Sequence, residues 1–202
     1  MPGERVRETS KAARTRGRIL DAALDEFSAK GYSGARTAAI AKRAGVNVQL
    51  ISYYFGGKEG LLEELLSSWQ ERRSKLVPAS EAEPFLASFR MVLNATLRDP
   101  RRARLVVWQA LGDYPGDTDA LTREWRTVAT AAVEQTRARQ ASGEIGDGHS
   151  PEFVTLLSFL LAFAPVALPQ VIEGIYEVDP LSEEYRQRVS AALGALLEVR
   201  HA

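Results

Sequence analysis

Residues 36–62 read RTAAIAKRAGVNVQLISYYFGGKEGLL. Two short apolar runs flank a glycine here: Ile40, Ala41 and Ala44 precede Gly45, and Val46, Ile51 and Phe55 follow it. The hydroxyl of Thr37 is suited to cap the exposed amides of a helix that Gly45 ends, and Asn47 to cap a second helix from Val48 to about Phe55. Gly56 and Gly57 then break the chain before Lys58. Two short helices joined by a tight glycine turn, each with one apolar face, are what a helix-turn-helix requires, the first holding the second so that its N-terminal side chains enter the major groove of DNA.

On the N-terminal side, Ile19, Leu20, Ala23, Leu24 and Phe27 form one apolar stripe of a helix over about 15–30, stopped at Gly31. On the C-terminal side, Leu61, Leu62, Leu65, Leu66 and Trp69 mark the buried side of a longer helix, 59–77, ended by Pro78 and placed as the connector between two domains. Further helices are expected at about 81–98, 100–111, 119–141, 151–173 and 181–200, three of them opening on a capping residue followed by proline: Asp99-Pro100, Ser150-Pro151 and Asp179-Pro180. No alternating strand pattern and no internal repeat is visible. The expected fold is therefore all-α: a flexible basic arm over 1–13, a three-helix helix-turn-helix domain over 14–58, and a further helical domain over 59–202.

The stretch resembles the DNA-binding domain of the TetR family, carried by Thr37, Ile40, Ala41, Ala44, Gly45, Val46, Tyr54, Phe55, Lys58, Glu59, Leu61 and Leu62 and by the preceding helix with Gly31-Tyr32. The resemblance covers about residues 14–66. It implies a ligand-responsive repressor that binds a pseudo-palindromic operator as a homodimer, with Val48, Gln49, Leu50 and Ser52 facing the groove. Chemically, the Gln49 amide can pair bidentately with adenine, and Val48 and Leu50 suit thymine methyl groups. Arg36, Thr37, Tyr53, Tyr54 and Lys58 would hold the phosphate backbone. Where the family often has tyrosine and histidine, this chain has Ser52 and Tyr54.

Charge distribution agrees with this division. The 202 residues hold 26 Lys/Arg and 26 Asp/Glu, yet residues 1–58 carry 11 basic against 5 acidic side chains, an excess that the remainder reverses. Such asymmetry is expected where one end of a chain meets a polyanion. No cysteine is present, which removes disulfides, thiolate zinc sites and cysteine nucleophiles and fits a reducing cytoplasm. The N-terminus lacks the apolar stretch of a secretory signal. Phe153 to Ile172 is uncharged over nearly the ~20 residues a membrane helix needs, but Thr155, Ser158, Pro165, Pro169 and Gln170 interrupt it, so no membrane partner is expected.

In the C-terminal half, two apolar stripes are candidates for a homodimer interface by family analogy: Phe153, Leu157 and Leu160, and Tyr185, Val189, Leu193 and Leu196. Phe85, Phe89, Met91, Trp108, Tyr114 and Trp125 are candidates for lining a pocket that takes an apolar or aromatic effector, against the simpler reading that each is ordinary core. An enzyme finds little support: His149 falls in a loop, His201 at the end of the chain, and no nucleophile elbow or phosphate loop occurs, so no cofactor is implied. Asp113, Asp117 and Asp119 lack the glycine and distal glutamate of a calcium loop and are read as turn caps, leaving no metal site. The rival class is an interaction protein that keeps the fold without reading DNA, which the donors Arg36, Gln49 and Lys58 argue against.

Overall fold

The computed structural model describes residues 2–68 and 83–198, and among these every regular element is helical. The chain divides into two compact units, 1–72 with 104–116, and 73–103 with 117–202.

In the first unit, α1 spans Pro2–Gly34, α2 Thr37–Ala44 and α3 Gln49–Phe55, and α4 is described over 58–68. The α1 stripe sets the core: Ile19, Ala23 and Phe27 are fully buried, with Leu24 beside them, against Ile40, Ala41, Ala44, Ile51, Leu61, Leu62 and Leu65. Burying each larger side chain of this kind is worth about 1.5–3 kcal/mol. Leu20, the remaining member of the sequence stripe, is half-buried at its edge. Helix α1 begins earlier than periodicity suggested, because helix-compatible residues from Glu4 onward let the backbone continue without an apolar stripe.

Gly31 breaks α1 as expected, with φ at 69°, and one more turn follows to Gly34. The reason reaches beyond local preference, since residues 104–116 pack with this unit. The Trp108 indole Nε1–H donates to the Ser28 carbonyl at 3.2 Å. The Asp113 carboxylate accepts from the Ser33 amide at 3.0 Å and its hydroxyl at 2.6 Å. A Cβ at position 31 would lie 2.0 Å from Asp113 Oδ2 and 3.1 Å from the Trp108 ring.

The second unit holds α5 (Phe85–Arg98), the start of α6 (Pro100–Ala110), α7 (Thr118–Ala141), α8 (Pro151–Ala167), α9 (Pro169–Tyr176) and α10 (Glu183–Leu196). Its core gathers Phe89, Leu93, Val154, Ala162, Ile172, Tyr185, Val189 and Leu193. The hydroxyls of Thr136 and Thr155 hydrogen-bond at 2.9 Å, so α7 and α8 meet without leaving a polar atom unpaired there. The Glu144 carboxylate accepts from the Phe85 amide and so caps α5 from the loop after α7.

Three sequence expectations are corrected. The helix expected over 151–173 is two helices, because proline at 169 disfavours helical geometry at Leu168, which sits at φ −136°, ψ 50°. Asp179-Pro180 does not open the last helix; Asp179 makes a local turn to the Leu181 amide, and the Ser182 hydroxyl caps α10 at Tyr185. Thr37 is the first residue of α2 but its side chain makes no cap. Trp69, Val77 and Pro78 lie outside the described residues. No single described helix is long and apolar enough to cross a membrane; α8 and α9 pass by composition only as a pair bent by 100°.

Replacing Gly31 with alanine tests this packing. The positive φ alone is worth about 1–3 kcal/mol for a residue with a Cβ, so Gly31→Ala is expected to lower the urea midpoint by at least that equivalent. A midpoint equal to wild type contradicts the close approach of Trp108 and Asp113.

Candidate DNA interface

The turn between α2 and α3 is built by three devices. Gly45 takes the left-handed conformation, φ 63°, and the Val46 amide returns to the Ala41 carbonyl at 3.0 Å. From α1, Arg18 donates through Nε and Nη2 to the Ala44 carbonyl at 3.0 and 2.6 Å, and through Nη2 to the Gly45 carbonyl at 3.0 Å. Asn47 Oδ1 accepts from the Gln49 amide at 2.9 Å, so α3 begins at Gln49 with a side-chain cap two residues upstream. The far end of α3 closes at Gly56, φ 73°, and Arg16 lies 5.1 Å from the Phe55 ring centroid while pairing with Glu64 at 2.7 Å.

At the other end of α2, the Glu26 carboxylate is 4% exposed. It accepts from Lys30 Nζ at 2.7 Å and from the Arg36 amide at 3.4 Å. The hydrogen bond from Lys30 is the leading cause that holds its carboxyl below the ordinary value; burial opposes it, and the Arg36 amide and the Lys30 and Arg43 charges reinforce it.

With Ile51 buried, α3 turns its other side outward. Val48 is 44% and Tyr53 79% exposed, and Gln49 and Ser52 are exposed with them. Leu50 is half-buried and packs on the core, so it presents less surface than the sequence expectation assigned it. Tyr54 is half-buried, its ring edge-on to Tyr53 at 5.1 Å. Around this face, Arg36 is exposed and unpaired among the described residues, Thr37 is half-buried, and Lys58 Nζ lies 4.4 Å from the Tyr32 ring centroid. Sequence reasoning missed Arg18, Glu26 and the exposed Lys42; for the first two, the only hint was a charge adjoining, or set within, the α1 stripe.

The residues proposed for an effector pocket are divided. Phe85 and Phe89 are buried in the core of the second unit, where Met91 and Trp125 are half-buried. Trp108 and Tyr114 belong to the first unit, and Tyr114 packs on its core. The proposed dimer residues divide too. Phe153 and Leu160 are exposed, Leu196 is 45% exposed and Leu157 half-buried. Tyr185, Val189 and Leu193 are at most 1% exposed, so they face their own core and not a partner. Burial pushes the Tyr185 phenol up to about 12. Leu156 on α8, Leu168 between the two helices, and Val171 and Ile175 on α9 are also exposed, and none of them is among the candidate dimer residues. Asp113 and Asp117 are satisfied by backbone amides, and no metal-holding cluster occurs among the described residues.

Residues 19–65, the whole of this helix-turn-helix with its flanks, match the profile of the bacterial regulatory proteins of the tetR family. This stretch is thus similar to the DNA-binding domain of the TetR family. The probable HTH-type transcriptional regulator YttP of Bacillus subtilis is 49% identical over 61 residues, 30% of each chain. The HTH-type transcriptional regulator RutR of Escherichia coli K12 is 31% identical over 134 residues, 62% of this chain and 60% of RutR. The match thus spans less than two thirds of these relatives. Among solved structures, the putative transcriptional regulator SCO4942 from Streptomyces coelicolor shares the fold over 91% of this chain and 98% of its own, with TM-score 0.69 at 23% identity.

The Glu26 carboxyl gives a pH signature. Because its folded value lies below the ordinary 4.5, the stability it contributes is complete above that pH and is lost as pH falls through the folded value. Unfolding free energy is therefore expected to drop more steeply below pH 4.5 in wild type than in Glu26→Gln. Parallel acid limbs in urea titrations of the two proteins contradict this role.

Proposed function

We infer that this chain is a TetR-family transcriptional regulator that binds a pseudo-palindromic operator as a homodimer, represses, and is released by a small-molecule effector. The observation that carries the reading is the outward face of α3: Val48, Gln49, Ser52 and Tyr53 stand exposed on a helix whose other side is locked into the core. Val48 and the Gln49 amide suit base edges in a major groove, and the Tyr53 hydroxyl suits a phosphate beside it.

In this reading Gln49 pairs with a base edge, Val48 and the exposed part of Leu50 meet thymine methyls, and the Ser52 hydroxyl takes either a donor or an acceptor. Arg36, Thr37, Tyr53, Tyr54 and Lys58 position the domain on phosphates, and Lys42 adds a further cation. The Lys58 ammonium, seated over Tyr32, is held near the start of α4 instead of sweeping freely, so less entropy is lost when it meets a phosphate.

A homodimer is supported by apolar side chains that the second unit leaves uncovered. On α8, Phe153, Leu156 and Leu160 recur at helical spacing, and Leu168 just before α9 joins Val171 and Ile175 on it. Apolar surface of this extent marks an interaction site. Two recognition helices about 34 Å apart then address successive major grooves of a pseudo-palindrome. Release by an effector is a coupling free energy: the ligand favours a conformation whose recognition helices are wrongly spaced.

Incubating the purified chain with fragmented genomic DNA and sequencing what is retained tests the proposal. A pseudo-palindrome is expected to be enriched by wild type and not by Gln49→Ala/Lys58→Ala. Retention without sequence preference, equal in both proteins, refutes operator reading and favours an interaction protein.

A further inference from the structure

Helices α5 and α10 run antiparallel, since Leu86 meets Gly194 while Asn94 meets Arg186. At the first pair the approach is close: a Cβ on Gly194 would lie 3.0 Å from Leu86 Cδ1. Around the second pair lies a cleft of about 480 Å³, floored by Leu93. Its walls are Arg90, Asn94, Glu183, Arg186, Gln187 and Ser190.

This lining is unlike that of a surface groove between two amphipathic helices. Glu183 pairs with Arg186, which also donates to Asn94 Oδ1 at 2.5 Å, so one guanidinium is fixed and locally neutralised. Arg90 has no such partner among the described residues, and the cleft keeps one uncompensated positive charge. The Ser190 hydroxyl is buried, the residue being 3% exposed, and is the buried side-chain polar atom left without a hydrogen-bond partner among the described residues. An unpaired buried hydroxyl is unfavourable and asks for an explanation. A bound group that reaches it supplies one.

We propose that the α5–α10 cleft binds a small oxyanion-bearing metabolite, its carboxylate or phosphate engaged by Arg90 and the fixed Arg186, with Asn94, Gln187 and Ser190 supplying neutral hydrogen bonds. Guanidinium forks match planar oxyanions in two parallel hydrogen bonds. The volume falls within the roughly 300–1,000 Å³ of small-molecule sites. The ligand differs in class from the apolar effector that the aromatic residues suggested, because Phe85 and Phe89 are closed into the core whereas this lining is open and polar. Its regulatory meaning rests on the function proposed above; its existence does not.

Titrating the full-length chain, labelled with ¹⁵N-arginine and free of DNA, with succinate, citrate and inorganic phosphate tests the site through the arginine Nε–H resonances. At least one probe is expected to shift two side chains saturably, and the preferred probe assigns the oxyanion as carboxylate or phosphate. Arg90→Gln, a change at an exposed and unpaired side chain, is expected to weaken binding about tenfold or more. Ser190→Ala is expected to weaken it by a smaller factor. Arg188→Gln, whose guanidinium instead serves the Tyr176 carbonyl and Glu184, is expected to leave it unchanged. Absence of saturable binding by every probe, or equal binding by Arg90→Gln and wild type, overturns the proposal. Operator binding is measured separately: loss of the anion site with operator reading intact removes only this inference, and anion binding without an operator removes only the regulator.

Discussion

Helix α2 is eight residues long, too short to persist in water on its own propensity, and the rest of the interface depends on how α1 holds it. The two ends are held by opposite charges. Glu26 accepts from the amide at the N-terminal end, and Arg18 donates to the Ala44 and Gly45 carbonyls at the C-terminal end. Each charge matches the partial charge of the helix end it meets and satisfies groups with no intrahelical partner. Because the Gly45 carbonyl leads directly into the turn, fixing it also fixes where α3 begins. The apolar contacts of Ile40, Ala44 and Ile51 supply most of the stabilisation, but they are non-directional; the register of α3 comes from the hydrogen bonds.

The second unit combines two surfaces of different chemistry. Aliphatic and aromatic side chains stand uncovered on α8 and α9, while the α5–α10 cleft is lined by guanidinium, amide and hydroxyl groups. On α10 the small residue Gly194 lets Leu86 of α5 approach closely at one end of the helix pair, and the cleft lies toward the other. A short stretch of α10 thus contributes Tyr185, Val189 and Leu193 to the core and Arg186, Gln187 and Ser190 to the cleft.

What was legible in the sequence follows from the range of the forces involved. The α1 stripe, the Gly45 turn and the Asn47 bond to the Gln49 amide are local, set by periodicity and by residues within a few positions of one another, and each is where the sequence placed it; on α3, Gln49 and Ser52 are exposed whereas Leu50 is half-buried. Leu168 and Ser182 were missed for a nearby reason, since apolar continuity concealed the Pro169 break and Asp179-Pro180 imitated a cap. Arg18 and Glu26 act across 10 to 27 residues, and no periodicity announces that. The same limit explains Tyr185, Val189 and Leu193: an apolar stripe says that a face is buried, and whether by its own core or by a second copy is a tertiary fact. Trp108 shows it most clearly, having been grouped with Phe85 and Phe89 by sequence proximity while its indole serves Ser28 in the other unit.

The central claim is that α1, through Arg18, presents α3 to DNA. Fluorescence anisotropy of a labelled fragment carrying the enriched sequence, titrated with wild type and with Arg18→Gln at equal helical content, measures it directly. The account predicts nanomolar to submicromolar binding by wild type that falls steeply with salt, and an affinity about tenfold lower or worse in Arg18→Gln. Equal affinities in the two proteins, or wild-type binding that ignores sequence, contradict it.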